Sequence, residues 1–218
     1  MKKLILFALI ISLKVFATEQ ISDILIYNGK TYEWNNYNPA RDYLETFNFK
    51  VPDDAIETTA NYGYYIFTYT IENDSLFLTD IKILVKKEKH LESRSVFEVF
   101  FKDKKKIIMD LYSKIQTIPY GKKIEVRKSN WTDIHYPNYL VLEFNNGKVE
   151  KHYDLNYKSF LKLKKKQFLK FKQTPEYPKS KLNEIKNLEN FNEFRPKKSS
   201  IESYLEFKIL GLIKTLKE

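Results

Sequence analysis

The chain has 218 residues with 38 Lys+Arg against 28 Asp+Glu, a net charge of +10, 43% apolar residues and no cysteine. That length and apolar content suffice for one domain, or one domain with an appendage. Without cysteine there is no disulfide, no thiolate chemistry and no acylated-cysteine anchor, and five glycines leave little material for a phosphate-cradling loop.

Lys2 and Lys3, the apolar run Leu4–Leu13, and Val15 and Ala17 at the −3 and −1 positions have the order of a secretory signal peptide cleaved after Ala17. The run is shorter than the roughly 20 residues that a membrane-spanning helix needs, and Lys14 closes it. The expectation is therefore an exported chain, periplasmic or secreted, with no transmembrane helix after cleavage.

Next comes a hairpin, Ile24–Tyr27 and Thr31–Trp34, around Asn28-Gly29, a pair suited to the positive φ angles of a type I′ turn. A two-residue loop sets Leu25 opposite Tyr32 and gives the hairpin one aromatic face. Asn38-Pro39 then caps a short helix carrying Tyr43, Leu44 and Phe47. Tyr64–Ile71 and Leu76–Val85 alternate around the turn Glu72–Ser75, and Phe77, Ile81, Ile83 and Val85 are expected on one face. Val96–Phe101 reads as a strand. Lys104–Ile115 fits a helical period through Ile107, Ile108, Leu111, Tyr112 and Ile115, followed by a turn at Ile118–Gly121 and a short strand at Lys123–Arg127. Tyr139–Phe144 and Lys148–Tyr153 form a last hairpin across Asn146-Gly147. A regular register there would set Glu143 against Glu150, so a bulge is expected.

Beyond Asp154 the period becomes helical. Phe160, Leu163, Phe168 and Phe171 share one arc. Thr174-Pro175 opens another short helix, and Ser199 with Glu202 has the spacing of a capping box before a final helix striped by Ile201, Leu205, Ile209, Leu212 and Leu216. The fold class is thus α+β: an antiparallel β-sheet or partial barrel of six to eight strands built from hairpins at 18–156, then a basic helical segment at 157–218 packed on or beside it.

The order Ile26–Lys30, Asn38-Pro39, Leu76–Ile81, Ile118–Lys122 and Asn146–Val149 resembles small secreted bacterial proteins of unassigned function, over about residues 24–156. The resemblance implies a secreted β-rich domain and carries no catalytic residue with it.

The charge is localised. The expected leader removes three lysines and leaves +7, and residues 151–172 alone hold eight lysines against Asp154, also +7. A genome biased towards A and T raises Lys, Asn, Ile, Phe and Tyr together, but it does not empty a single stretch of acids. Lys158, Lys162, Lys164, Lys165, Lys166, Lys170 and Lys172 are the candidate binding residues, against the plain alternative of a solvated helix face. Trp131, in the polar stretch Ser129–Asp133, is a further candidate anchor, or else fills a local gap. Asp133, His135 and His152 would suit a zinc if the fold brought them together, but no HExxH or CxxC pattern supports such a site, and no metal or other cofactor is assigned. No Gly-x-Ser-x-Gly motif is present either.

These features point to an exported, non-enzymatic binding protein of the immunity or inhibitor type, with another protein as partner. The alternatives are an envelope-associated protein touching anionic lipid or cell-wall polymer through the basic helix, and a hydrolase whose site carries no recognisable motif. Export argues against nucleic acid.

Overall fold

Asn28 and Gly29 adopt φ angles of 50° and 71°, and the hairpin they close pairs β1 (Asp23–Tyr27) with β2 (Lys30–Trp34) in the expected register, Leu25 opposite Tyr32. Leu25, Tyr27, Tyr32 and Trp34 form its buried face. The computed structural model describes residues 20–35, 39–46, 49–61, 63–128, 131–193, 195 and 197–218, with the backbone alone at 41, 42, 45, 46, 128 and 131. The expected leader with Ala17, the Asn38 cap and Phe47 lie outside these residues.

A short helix α1 (Pro39–Thr46) buries Ala40 and Leu44. The chain then crosses over so that β3 (Tyr65–Glu72) runs parallel to β1, the one departure from an all-antiparallel sheet among the described pairings. Asn73 and Asp74, at φ 48° and 58°, turn β3 into β4 (Ser75–Lys87). The face expected for β4 is correct only in its second half. The register shifts, with Thr68 opposite Asp80 but Tyr69 opposite Leu78. This bulge re-phases the strand, so Leu76 and Leu78 join Ile81 and Ile83 in the core, and Phe77 turns to the other side under the Lys106 ammonium, 4.1 Å from its ring centroid.

Two further expectations fail. Val96–Phe101 is not a strand. The strand is β5 (His90–Ser95), and Phe97–Phe100 forms one helical turn, α2. Its i, i+4 hydrogen bonds bring Phe97, Phe100 and Phe101 to the core side, which alternation cannot do. Lys104–Ile115 is not a helix. It divides into β6 (Ile107–Ile108) against β4, a turn, and the start of β7 (Lys114–Tyr120), because the Met109 and Leu76 backbones bond at 2.9 Å and leave no local helical ladder. Ile118–Tyr120 likewise remain in β7, where Pro119 is tolerated because β7 ends the sheet path, and the turn falls at Gly121 with φ 90°.

β8 (Ile124–Lys128) and β9 (Trp131–His135) form a separate two-stranded flap. β10 (Asn138–Asn145) and β11 (Lys148–Asn156) carry the expected bulge: Phe144 faces Val149, whereas Glu143 faces Lys151 and not Glu150. Gly147 at the turn has φ 73°, and a Cβ there would stand 2.5 Å from the Met109 carbonyl oxygen, so only glycine fits.

The main sheet runs β2-β1-β3-β4-β11-β10-β7, with β5 and β6 also on β4. Eleven strands are thus described, more than expected. β4 and β11 share only the pair Lys148–Ser75, so the sheet folds there into two arms over one core of Leu25, Trp34, Phe67, Tyr69, Leu78, Leu140, Leu142 and Phe144. Tyr32 of β2 meets Tyr120 of β7 edge-to-face at 5.2 Å, but no ladder joins these strands, and the barrel is not closed.

α3 (Tyr157–Phe171), α4 (Glu176–Asn183), α5 (Ile185–Glu193) and α6 (Ile201–Leu212) complete the chain. The cap of α6 is Ser200, whose side chain accepts from the Ser203 N–H, and not Ser199. Asn192 holds the Ser199 backbone from both sides and so keeps it outside the helix. α3 and α6 cover the outer face of the β7-β10-β11 arm. There Ile115, Tyr139 and Val141 share a second core with Phe160, Phe168, Phe171, Leu205, Ile209 and Leu216. No helix among the described residues is long and apolar enough to cross a membrane.

Candidate functional site

Asn156 caps α3 by accepting from the Ser159 N–H at 2.9 Å, and the Tyr157 N–H donates to the Pro137 carbonyl at 2.9 Å. These bonds set the rotation of the helix. Phe160, Gln167, Phe168 and Phe171 point inward. The opposite arc is therefore solvent-facing: Lys158, Lys162, Lys165 and Lys166 are exposed, with Leu161 and Leu169 between them at 44% and 52% exposure. α3 contains no acid. Among the described residues no carboxylate pairs with Lys158, Lys162, Lys165 or Lys166. Pairs such as Lys158–Lys162 and Lys162–Lys166 stand four apart, a repulsive spacing that costs a few tenths of a kcal/mol each. The face is thus an unneutralised basic stripe.

Three of the seven expected lysines lie elsewhere. Lys172 caps the C-terminus of α3 and is exposed, but its ammonium folds over Phe168 and Tyr177, 5.7 and 5.9 Å from their ring centroids. Lys170 is half-buried on the flank. Lys164 turns towards α6, where its ammonium lies 4.6 Å from the Phe207 centroid and 5.5 Å from that of Phe160. It enters a groove of about 680 Å³ between β7, the flap, α3 and α6. Tyr139 stacks on Phe160 at 4.0 Å along its floor, and His135 stacks on Tyr157 at 4.3 Å on the flap side. The Tyr136 N–H donates to the Tyr139 hydroxyl at 3.0 Å and so fastens the flap to the floor. Burial among these rings pushes the Lys164 amine down from its usual 10.5 to about 8, against the opposing pull of Glu206.

Lys164 should accordingly titrate near pH 8 by heteronuclear NMR of its side chain. The sign for stability follows. Folding disfavours the charged amine, so between about 8 and 10.5 the unfolded chain binds more protons and stability rises with pH. A Lys164 midpoint at 10 or above would show that the amine is fully hydrated.

The other candidates separate. Trp131 opens strand β9 and does not sit in a loop, because it pairs with Lys128 across the flap. Asp133 and His135 both line the groove, but His152 projects from β11 towards Tyr27, with ring centroids 6.0 Å apart. Three ligands are therefore not brought together, and the described residues contain no group of three or more His, Cys, Asp or Glu that could hold a metal ion. The groove was missed by sequence reasoning because its walls come from residues 114–119, 133–139, 157–164 and 207–211. The Asp133–His135 spacing was its one visible trace.

The molecule belongs to the α+β class, a mostly antiparallel mixed sheet followed by C-terminal helices that carry the basic face. No family model, curated protein or solved structure matches the chain.

Proposed function

We propose that the chain is an exported, non-enzymatic binding protein that captures an acidic protein partner on the outer face of α3. The observation that carries this reading is the stripe of Lys158, Lys162, Lys165 and Lys166, exposed and without an acid on the helix, with two exposed leucines inside it. Lysines at such a face steer a negatively charged partner and speed encounter, and the leucines supply apolar contact once it is docked. Export is supported by the Lys2-Lys3, Leu4–Leu13 and Ala17 pattern. An immunity or inhibitor role, occluding a toxin that acts outside the cytoplasm, fits these properties.

The test begins with affinity capture from the native host, including the products of adjacent genes, followed by titration with the purified partner. Changing Lys158, Lys162, Lys165 and Lys166 together to Gln should weaken binding by about tenfold or more, mainly through the association rate, and rising salt should do the same to the unaltered protein. Failure to recover any stoichiometric partner counts against the reading. Salt-sensitive binding to anionic vesicles, lost in the same variant, would replace it with an envelope-surface role, because a basic stripe interleaved with leucines also suits a lipid interface.

A further inference from the structure

We propose that the groove between β7, the flap, α3 and α6 is a binding site for a small amphipathic carboxylate, its charged end at Lys164 and its apolar body between Ile134, Phe160, Leu161 and Phe207. The volume of about 680 Å³ lies in the range of small-ligand sites, about 300–1,000 Å³. Large apolar side chains are left open from three separate elements. Phe207 of α6 is 60% exposed, Ile134 of the flap 51%, and Leu161 of α3 44%. Singly exposed apolar residues need no explanation, but three converging on one concavity beside a stacked Tyr139–Phe160 pair form a continuous apolar wall.

The charge at the site selects the class of ligand. Three lysines line the groove, and two of them are engaged: Lys208 is paired with Glu184 at 2.8 Å, and Lys114 has its own partner. Lys164 has no carboxylate at ion-pair distance among the described residues, although Glu206 acts on it from α6. A desolvated ammonium between two rings gains most from an anion that brings its own acceptor atoms. A cation would be repelled, and a neutral ligand would leave the ammonium without a counterion. Asp133 is the acid among the lining residues and, like Lys114, has a partner of its own, so Lys164 is the cation left to meet a single carboxylate.

His135 adds a polar group to the same lining: its ring is half-exposed, stacks on Tyr157, and its Nδ1 is buried with no hydrogen-bond partner among the described residues.

The probe is decanoate, well below the concentration at which it forms micelles, followed by calorimetry on the full chain, with decanol as the uncharged control. The expected result is one site per chain and decanol weaker by about tenfold or more. Lys164→Met, which keeps the length of the side chain among the rings, should weaken decanoate by about tenfold to a hundredfold, and Lys164→Arg should restore it. Phe207→Ala, at an exposed position where folding is not at stake, should weaken decanoate and decanol alike. The quadruple Lys158/162/165/166→Gln variant should bind decanoate normally, which separates this site from the lysines of the outer face, Leu161 bordering both. No decanoate binding, equal binding of decanol, or binding indifferent to Lys164→Met overturns the proposal.

Discussion

Replacing Trp34 by alanine should remove about 3–5 kcal/mol of stability, a large share of the 5–15 kcal/mol that holds a typical domain together. Trp34 is 2% exposed and lies where the two arms of the sheet meet, its ring 4.9 Å from that of Tyr69 on β3 and stacked at 6.5 Å on Phe144 of β10. Tyr112, from the turn before β7, closes a third side at 6.3 Å. Removing the indole opens a cavity walled by three separate segments, which cannot collapse onto it together. The indole also carries a cost, since its Nε1–H is buried with no partner among the described residues. Trp34→Phe should therefore be much milder than Trp34→Ala, because deleting the unpaired donor returns about 1–3 kcal/mol against the smaller void. Urea unfolding followed by far-UV circular dichroism measures both. Equal losses for the two variants would overturn this account, because the smaller void and the removal of the unpaired donor both favour phenylalanine.

That cluster illustrates what could be read before the fold was known. The Asn28-Gly29 and Asn146-Gly147 turns shape their hairpins locally through positive φ angles, so the pairing of Leu25 with Tyr32 and the aromatic face beside it were legible in the sequence. The clash of Glu143 with Glu150 foretold the β10–β11 bulge, because like charges placed opposite one another are a local conflict visible in the sequence. The bulge in β4 had no such marker. Leu76 and Leu78 are as apolar as Phe77, so hydrophobicity could not show where the phase changes. Ile107–Ile115 failed for a related reason. A short apolar run satisfies either period, and a partner strand in β4, some thirty residues back, decided the outcome. Lys164 was grouped with the solvated lysines because nothing in the segment reveals Phe207, which arrives from α6. The groove is a product of tertiary assembly, whereas the basic face of α3 follows from helical spacing alone.

The assembly that makes the groove depends on a buried acid outside its lining, paired across β10 and β7 with Ile115, and here the second large effect is expected. Glu143 on β10 is 4% exposed, and its Oε2 accepts from the Leu216 N–H at 2.8 Å, while the Lys151 ammonium stands 3.8 Å away and donates to the Leu216 carbonyl. Gln167 of α3 holds the next residue from the other side: its amide nitrogen donates to the Lys217 carbonyl at 2.8 Å, and its oxygen accepts from the Lys217 N–H at 2.9 Å. Residues 213–218 are thus gripped between sheet and helix, and this grip holds α6, with Phe207 and Leu210, against α3. Glu143→Ala leaves a buried N–H unpaired and Lys151 without its counter-charge, a loss towards the lower end of about 3–5 kcal/mol, because Lys151 keeps some access to water. Glu143→Gln should lose less, since its amide oxygen can still accept from Leu216. Gln167→Ala attacks the same grip, so the double variant should lose less than the sum of the two single ones, by about 0.5–3 kcal/mol in a double-mutant cycle. Additive losses would mean that the two contacts act independently. Hydrogen exchange gives the second readout: in Glu143→Ala, protection should fall first at Tyr204–Leu210 and only later in β10, because α6 loses its anchor while the sheet keeps its ladder.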